Sequence, residues 1–122
     1  MPNGFMWFDV TTRAGDVDRV RDFYAALFDG PIGPDDGDGP YEAWMMDGEQ
    51  PWAAVVRTDD AAEAGRWLPY VHVDDLDTAV SHAVEAGATV VSGPTDGPAG
   101  TAVTVADPGG AHLALWIPFP AA

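Results

Sequence analysis

The spacing of apolar and polar positions divides the chain into short strands and two helices. Phe5-Met6-Trp7-Phe8-Asp9-Val10-Thr11 is aromatic and short, which predicts a first strand. From Asp16 to Phe28, Val17, Val20, Tyr24 and Leu27 recur at helical spacing, with acidic residues in the first turn and Gly30 beyond the end, so an amphipathic helix is expected. Residues 30–40 hold four glycines, three prolines and three aspartates, and any strand there must be short or broken. Strands are expected over Tyr41 to Met46 and Trp52 to Thr58, joined by a turn at Asp47-Gly48.

After the alanine-rich, acidic connection Asp59 to Gly65 the order repeats. Trp67 to Val73 reads as a strand, Asp75 to Ala86 as a helix stopped by Gly87, and Ala88 to Ser92 as a strand. A Gly/Pro loop is expected from Gly93 to Gly100, and a last hairpin pairs Thr101 to Ala106 with His112 to Ile117 across Asp107-Pro108-Gly109-Gly110. The pattern is a βαβββ unit written twice. Aligning the helix starts sets Asp16-Val17-Asp18 against Asp75-Leu76-Asp77 and, with a two-residue insertion, Trp7 to Thr12 against Leu68 to Val73.

Composition narrows the picture. At roughly 150 residues per domain, 122 residues make one domain, and 47% hydrophobic with 11% aromatic residues is enough to fill a core, which excludes disorder. Five basic against twenty acidic residues give a net charge of −15, which repels nucleic acid and anionic membrane surfaces. The absence of cysteine excludes disulfides, thiolate metal sites and a cysteine nucleophile. No basic leader precedes an apolar run and no stretch of eighteen apolar residues occurs, so a soluble cytoplasmic protein is expected.

The two βαβββ units, Phe23-Tyr24 near the end of the first helix, Val73-Asp74-Asp75-Leu76-Asp77 opening the second, and Asp107-Pro108-Gly109-Gly110 before an apolar last strand together resemble the vicinal-oxygen-chelate superfamily. That group includes glyoxalase I, the extradiol dioxygenases and the bleomycin-resistance proteins. The resemblance runs from about Trp7 to Trp116 and implies an α+β fold: two tandem modules, about 4–58 and 66–118 of a single 1–122 domain, with mixed curved sheets enclosing a cavity. It also implies a homodimer.

In such a module the helix covers one face of the sheet, and strand alternation sorts residues between helix and cavity. Phe8, Val10, Val71, Val73, Leu113, Leu115 and Ile117 belong under the helices. Trp7, Asp9, Thr11, Leu68, Tyr70, His72, His112, Ala114 and Trp116 then belong to the cavity, and all of these but Thr11 form the candidate ligand-binding set. The family's metal enzymes place a His on the first strand of a module and a Glu on the last, a hard N/O donor set for a divalent ion. Here those positions fall on Trp7 and Leu68, and on Ala114 and a residue near Ala54, so neither a metal nor another cofactor is expected. With Leu68 set beside Ala114, His72 and His112 lie six residues apart, roughly 20 Å, too far to share a metal.

Several residues keep two readings. Asp9 is either a general base with a raised pKa or an aspartate paired with an arginine or a backbone amide. His72 is either a cavity group, acting as acid or base or contacting ligand, or a partly exposed strand-end residue. His82 reads as a helix-face or core histidine. Trp7, Tyr70 and Trp116, with Trp44 or Trp52, form either an aromatic box for a planar ligand or ordinary core filling. Asp35-Asp36-Gly37-Asp38 lacks the ligand spacing of a calcium loop and reads as a solvated turn. The function expected is metal-independent binding of an aromatic or amphipathic small molecule, of the kind the bleomycin-resistance branch performs, with the acidic surface favouring a cation. The alternatives are a metal-dependent lyase, isomerase or dioxygenase, and a metal-free enzyme using Asp9 or His72.

Overall fold

In a computed structural model describing residues 4–28, 32–34 (backbone only) and 40–120, strand β1, Trp7–Thr12, sends Phe8 and Val10 into an apolar core beneath helix α1, Val17–Phe28. A single 3-10 turn, Ala14–Asp16, leads into α1. β2 (Ile32–Pro34), β3 (Tyr41–Asp47) and β4 (Gln50–Arg57) complete the first repeat. Their order in the sheet is β2-β3-β4-β1, with β4 antiparallel to β3 and parallel to β1. Ala43, Met45, Ala53 and Val55 form the buried floor on which Val20, Tyr24 and Trp52 pack. Leu27, expected on the buried stripe, is 59% exposed. Tyr24 is followed on its face by Phe28, one turn on, and the two rings stack with centroids 5.6 Å apart. Gly30 and the Asp35-Asp36-Gly37-Asp38 run lie outside the described residues.

The second repeat comprises β5 (Arg66–His72), α2 (Leu76–Glu85), β6 (Thr89–Asp96), β7 (Gly100–Ala106) and β8 (His112–Pro118), with strand order β5-β8-β7-β6. Leu76, Val103, Val105 and Leu115 are its buried centre, joined by Val71, Val73, Leu113 and Ile117. By contacts the chain divides into an N-terminal unit, Trp7–Leu68, and a C-terminal unit containing residues 4–6 and 69–120. No helix among the described residues is long and apolar enough to cross a membrane.

The local signals that start and stop elements are visible at α2. The Asp75 carboxylate caps the helix by accepting from the Thr78 amide at 2.8 Å, and Gly87, at φ 108°, follows the last turn. Before β8, the Asp107 carboxylate accepts from the amides of Gly109 and Ala111 at 2.8 and 3.0 Å, closing the turn that Pro108 initiates.

Two expectations are corrected. β6 does not stop at Ser92 but runs through Gly93 and Pro94 to Asp96, with register shifts on either side of Ser92. It is an outer strand, exposed throughout, where a proline costs no ladder bond and irregular pairing is tolerated. The β5–β8 register is also two residues from the expected one, with Tyr70 beside Ala114 and His72 beside Trp116. In this register Val71 and Leu115 meet side by side under α2.

The cap gives α2 a pH signature. The amide and side chain of Thr78 hold the Asp75 carboxyl below its ordinary value, so its stabilising contribution is full above the unfolded-state value and is lost as pH falls through the folded one. Asp75→Ala is expected to melt below the parent at pH 7, and the gap is expected to narrow in acid. Thermal melts across pH 2–7 check this.

Candidate functional site

Strand alternation leaves one face of each sheet free of its helix, and the candidate residues stand on those faces. In the N-terminal unit Trp7 and Asp9 project opposite to Phe8 and Val10. Asp9 is 3% exposed and accepts a hydrogen bond from the Trp7 indole Nε1 at 2.8 Å. The ring of Trp44, on β3, meets Trp7 edge to face with centroids 5.8 Å apart, and Tyr41 stacks on Trp44 at 5.4 Å with planes 8° apart. Alternation alone would put Tyr41 and Trp44, three residues apart, on opposite faces. An irregularity in the β3–β4 pairing between Tyr41 and Ala43 restores them to one side. Tyr41 was missed by sequence reasoning, because no local signal marks that irregularity.

A second irregularity, between the pairs of Met45 and Met46, turns Trp52 the other way. Trp52 therefore does not join Trp7. It packs on the helix side against Phe8, Phe28 and Trp67, at 6.2, 5.4 and 6.5 Å. The Thr11 hydroxyl is engaged by the carbonyls of Glu63 and Arg66, so this residue fastens the connection between the repeats.

In the C-terminal unit Tyr70, His72, His112, Ala114 and Trp116 share the helix-free face, opposite Val71, Leu113, Leu115 and Ile117. Leu68 has the same parity on β5 but falls in the N-terminal unit. His72 is exposed at the strand end, and its ring meets Trp116 edge to face at 5.4 Å. The observed register brings His72 to within four residues of His112, roughly 13 Å along the strands and still beyond shared coordination. His82 is exposed on α2. The structure thus joins Trp7 with Asp9, Trp44 and Tyr41, and separately joins His72 with Trp116.

The positions at which the family's metal enzymes carry ligands do not fit a metal. Ala54 lies beside Asp9 and Ala114 beside Tyr70, both fully buried and both without a donor atom. Trp7 already gives its only polar hydrogen to Asp9, and Leu68 has no donor. Among the described residues no three His, Asp or Glu side chains are grouped to hold an ion.

Solved structures share the architecture at low sequence identity. Methylmalonyl-CoA epimerase from Mycobacterium tuberculosis is 16% identical with a TM-score of 0.65, over 98% of this chain and 90% of that one. A Legionella pneumophila protein described as NAD-dependent benzaldehyde dehydrogenase is 14% identical with a TM-score of 0.61, over 92% and 99%. An uncharacterized Methanosarcina mazei protein is 17% identical with a TM-score of 0.57, over 97% and 96%. A search of the curated proteins found no match. At these identities the likenesses establish the fold. The model of the glyoxalase-like domain matches residues 9–116, from the buried aspartate of β1 to the tryptophan of β8, and the chain belongs to that family.

Proposed function

We propose that this protein binds a planar aromatic or amphipathic small molecule without a metal, using the helix-free face that carries Trp7, Asp9, Tyr41 and Trp44. The observation that carries the reading is the aromatic trio set against a buried carboxylate, at 5.8 and 5.4 Å between ring centroids. Ring faces offer stacking surface worth about 0.5–1.5 kcal/mol per pair beyond area burial. A carboxylate hydrogen-bonded to the indole N–H enriches that ring in electron density, which favours a cation over it. The net charge of −15 adds a long-range attraction for the same class of ligand. On this reading the protein is a homodimer, as its resemblance to the resistance proteins implies, and His72 with Trp116 adds a second aromatic contact surface in the C-terminal unit.

The test is a fluorescence titration with 1-methylquinolinium and with quinoline, which has nearly the same shape but is neutral at pH 7. The cation is expected to quench tryptophan emission saturably and to bind more tightly than quinoline. The difference is expected to shrink with added salt and to be unaffected by EDTA. Trp44→Ala is expected to weaken the cation by about tenfold, which corresponds to about 1.4 kcal/mol. Saturable binding that is indifferent to Trp44→Ala would remove this face from the function.

A further inference from the structure

The aromatic residues that do not belong to the helix-free face gather at a second place. On the helix side of the N-terminal unit, a cleft of about 510 Å³ opens between the end of β1, the start of α1 and the connection before β5. Its size lies within the range of small-molecule sites. Tyr24 and Trp67 form one wall, with ring centroids 5.3 Å apart and the Trp67 Nε1 donating to the Tyr24 hydroxyl at 3.1 Å. That bond fixes both rings before any ligand arrives. Phe23 stands edge-on to Tyr24 at 5.0 Å and is 58% exposed, so an apolar surface remains open at the mouth.

The polar groups of the cleft are few and of one character. Thr12 lines the cleft, is 4% exposed, and its hydroxyl makes no hydrogen bond among the described residues. Arg13 and Arg19 also line it. Arg19 is bound by the Asp16 carboxylate, which cancels that pair, whereas Arg13 has no ion pair among the described residues. The net charge of the lining side chains is therefore positive in a protein whose charge is −15.

We propose that this cleft is a separate binding site for a compact aromatic carboxylate. The ring would stack on one of Tyr24 and Trp67, whose planes are 80° apart, and meet the other edge to face, and the carboxylate would take a two-pronged hydrogen bond from the Arg13 guanidinium and one from the Thr12 hydroxyl. A single planar fork and a single hydroxyl match a carboxylate better than a phosphate dianion, which the acidic field opposes more strongly. A cation is disfavoured by Arg13. The site differs from the proposed quinolinium face in position and in ligand charge, so either assignment stands if the other fails.

The probe is 2-naphthoate, with 2-naphthylmethanol as the neutral counterpart, followed by calorimetry and by the NMR signals of the indole N–H groups. Naphthoate is expected to bind saturably, to shift the Trp67 signal and not that of Trp7, and to bind roughly tenfold more tightly than the alcohol. Arg13→Gln, an exposed position whose melting temperature is expected to equal the parent's, should weaken naphthoate about tenfold and leave the alcohol unchanged. Thr12→Val keeps the shape and is expected to weaken naphthoate by a few-fold. The proposal is overturned if naphthoate shows no saturable binding below about 10 mM, if Arg13→Gln binds it like the parent, or if Trp7 shifts in place of Trp67.

Discussion

Trp7→Ala is expected to destabilise the protein by about 3 kcal/mol, the low end for a tryptophan truncation because the residue is half-buried. Two losses combine. The indole leaves a void against Trp44, whose ring it meets at 5.8 Å, and the Asp9 carboxylate, 3% exposed, loses a donor held at 2.8 Å. Trp7→Phe separates them, since it keeps a ring and removes only the N–H; its expected cost is about 1–3 kcal/mol. Asp9→Asn makes that donor less important, so the double variant Asp9→Asn, Trp7→Phe is expected to be more stable than the sum of the singles implies. Denaturant unfolding of the four proteins measures the coupling. A Trp7→Phe variant as stable as the parent would show that the hydrogen bond contributes nothing.

Gly100→Ala is expected to cost about 1–3 kcal/mol, a fall of roughly 4–12 °C in melting temperature. Gly100 is buried on β7 and pairs with Pro118. A Cβ there would lie 2.6 Å from Cε2 and Nε1 of Trp116 and would overlap the Ile117 carbonyl oxygen. The ring can be pushed aside, but the carbonyl belongs to the β8 backbone, so the strand must move as well. The same substitution is therefore expected to shift the emission of Trp116, which a Trp116→Phe background would abolish. A melting temperature equal to the parent's would contradict the close approach of β7 to Trp116.

These cases also show what was legible in the sequence. Wherever alternation was regular, the sorting of faces held: Phe8 and Val10 lie under α1, and Leu113, Leu115 and Ile117 under α2. The Asp75 cap, the Gly87 stop and the Asp107-Pro108 turn were readable because each is a local hydrogen-bonding or backbone preference. Trp52 and Tyr41 were not, because the irregularities that reorient them arise from the pairing of β3 with β4 and not from either strand alone. The two-residue error between β5 and β8 has a similar origin. Parallel strands share no turn, so their register is set by packing, here of Val71 against Leu115. The cleft beside α1 was invisible for the same reason, since Trp67 reaches Tyr24 across 43 residues of sequence.

The ligand-binding surface proposed above is the helix-free face of the N-terminal unit. Among the five tryptophans of the chain, Trp7 and Trp44 lie on that face, whereas Trp52 and Trp67 lie on the helix side. A titration with 1-methylquinolinium, followed by the indole N–H signals and assigned with single Trp→Phe variants, reads each of them separately. Saturable shifts of Trp7 and Trp44 are expected, with Trp52 and Trp67 unmoved; shifts confined to Trp52 and Trp67, or no shift at any indole, would rule out ligand binding on this face.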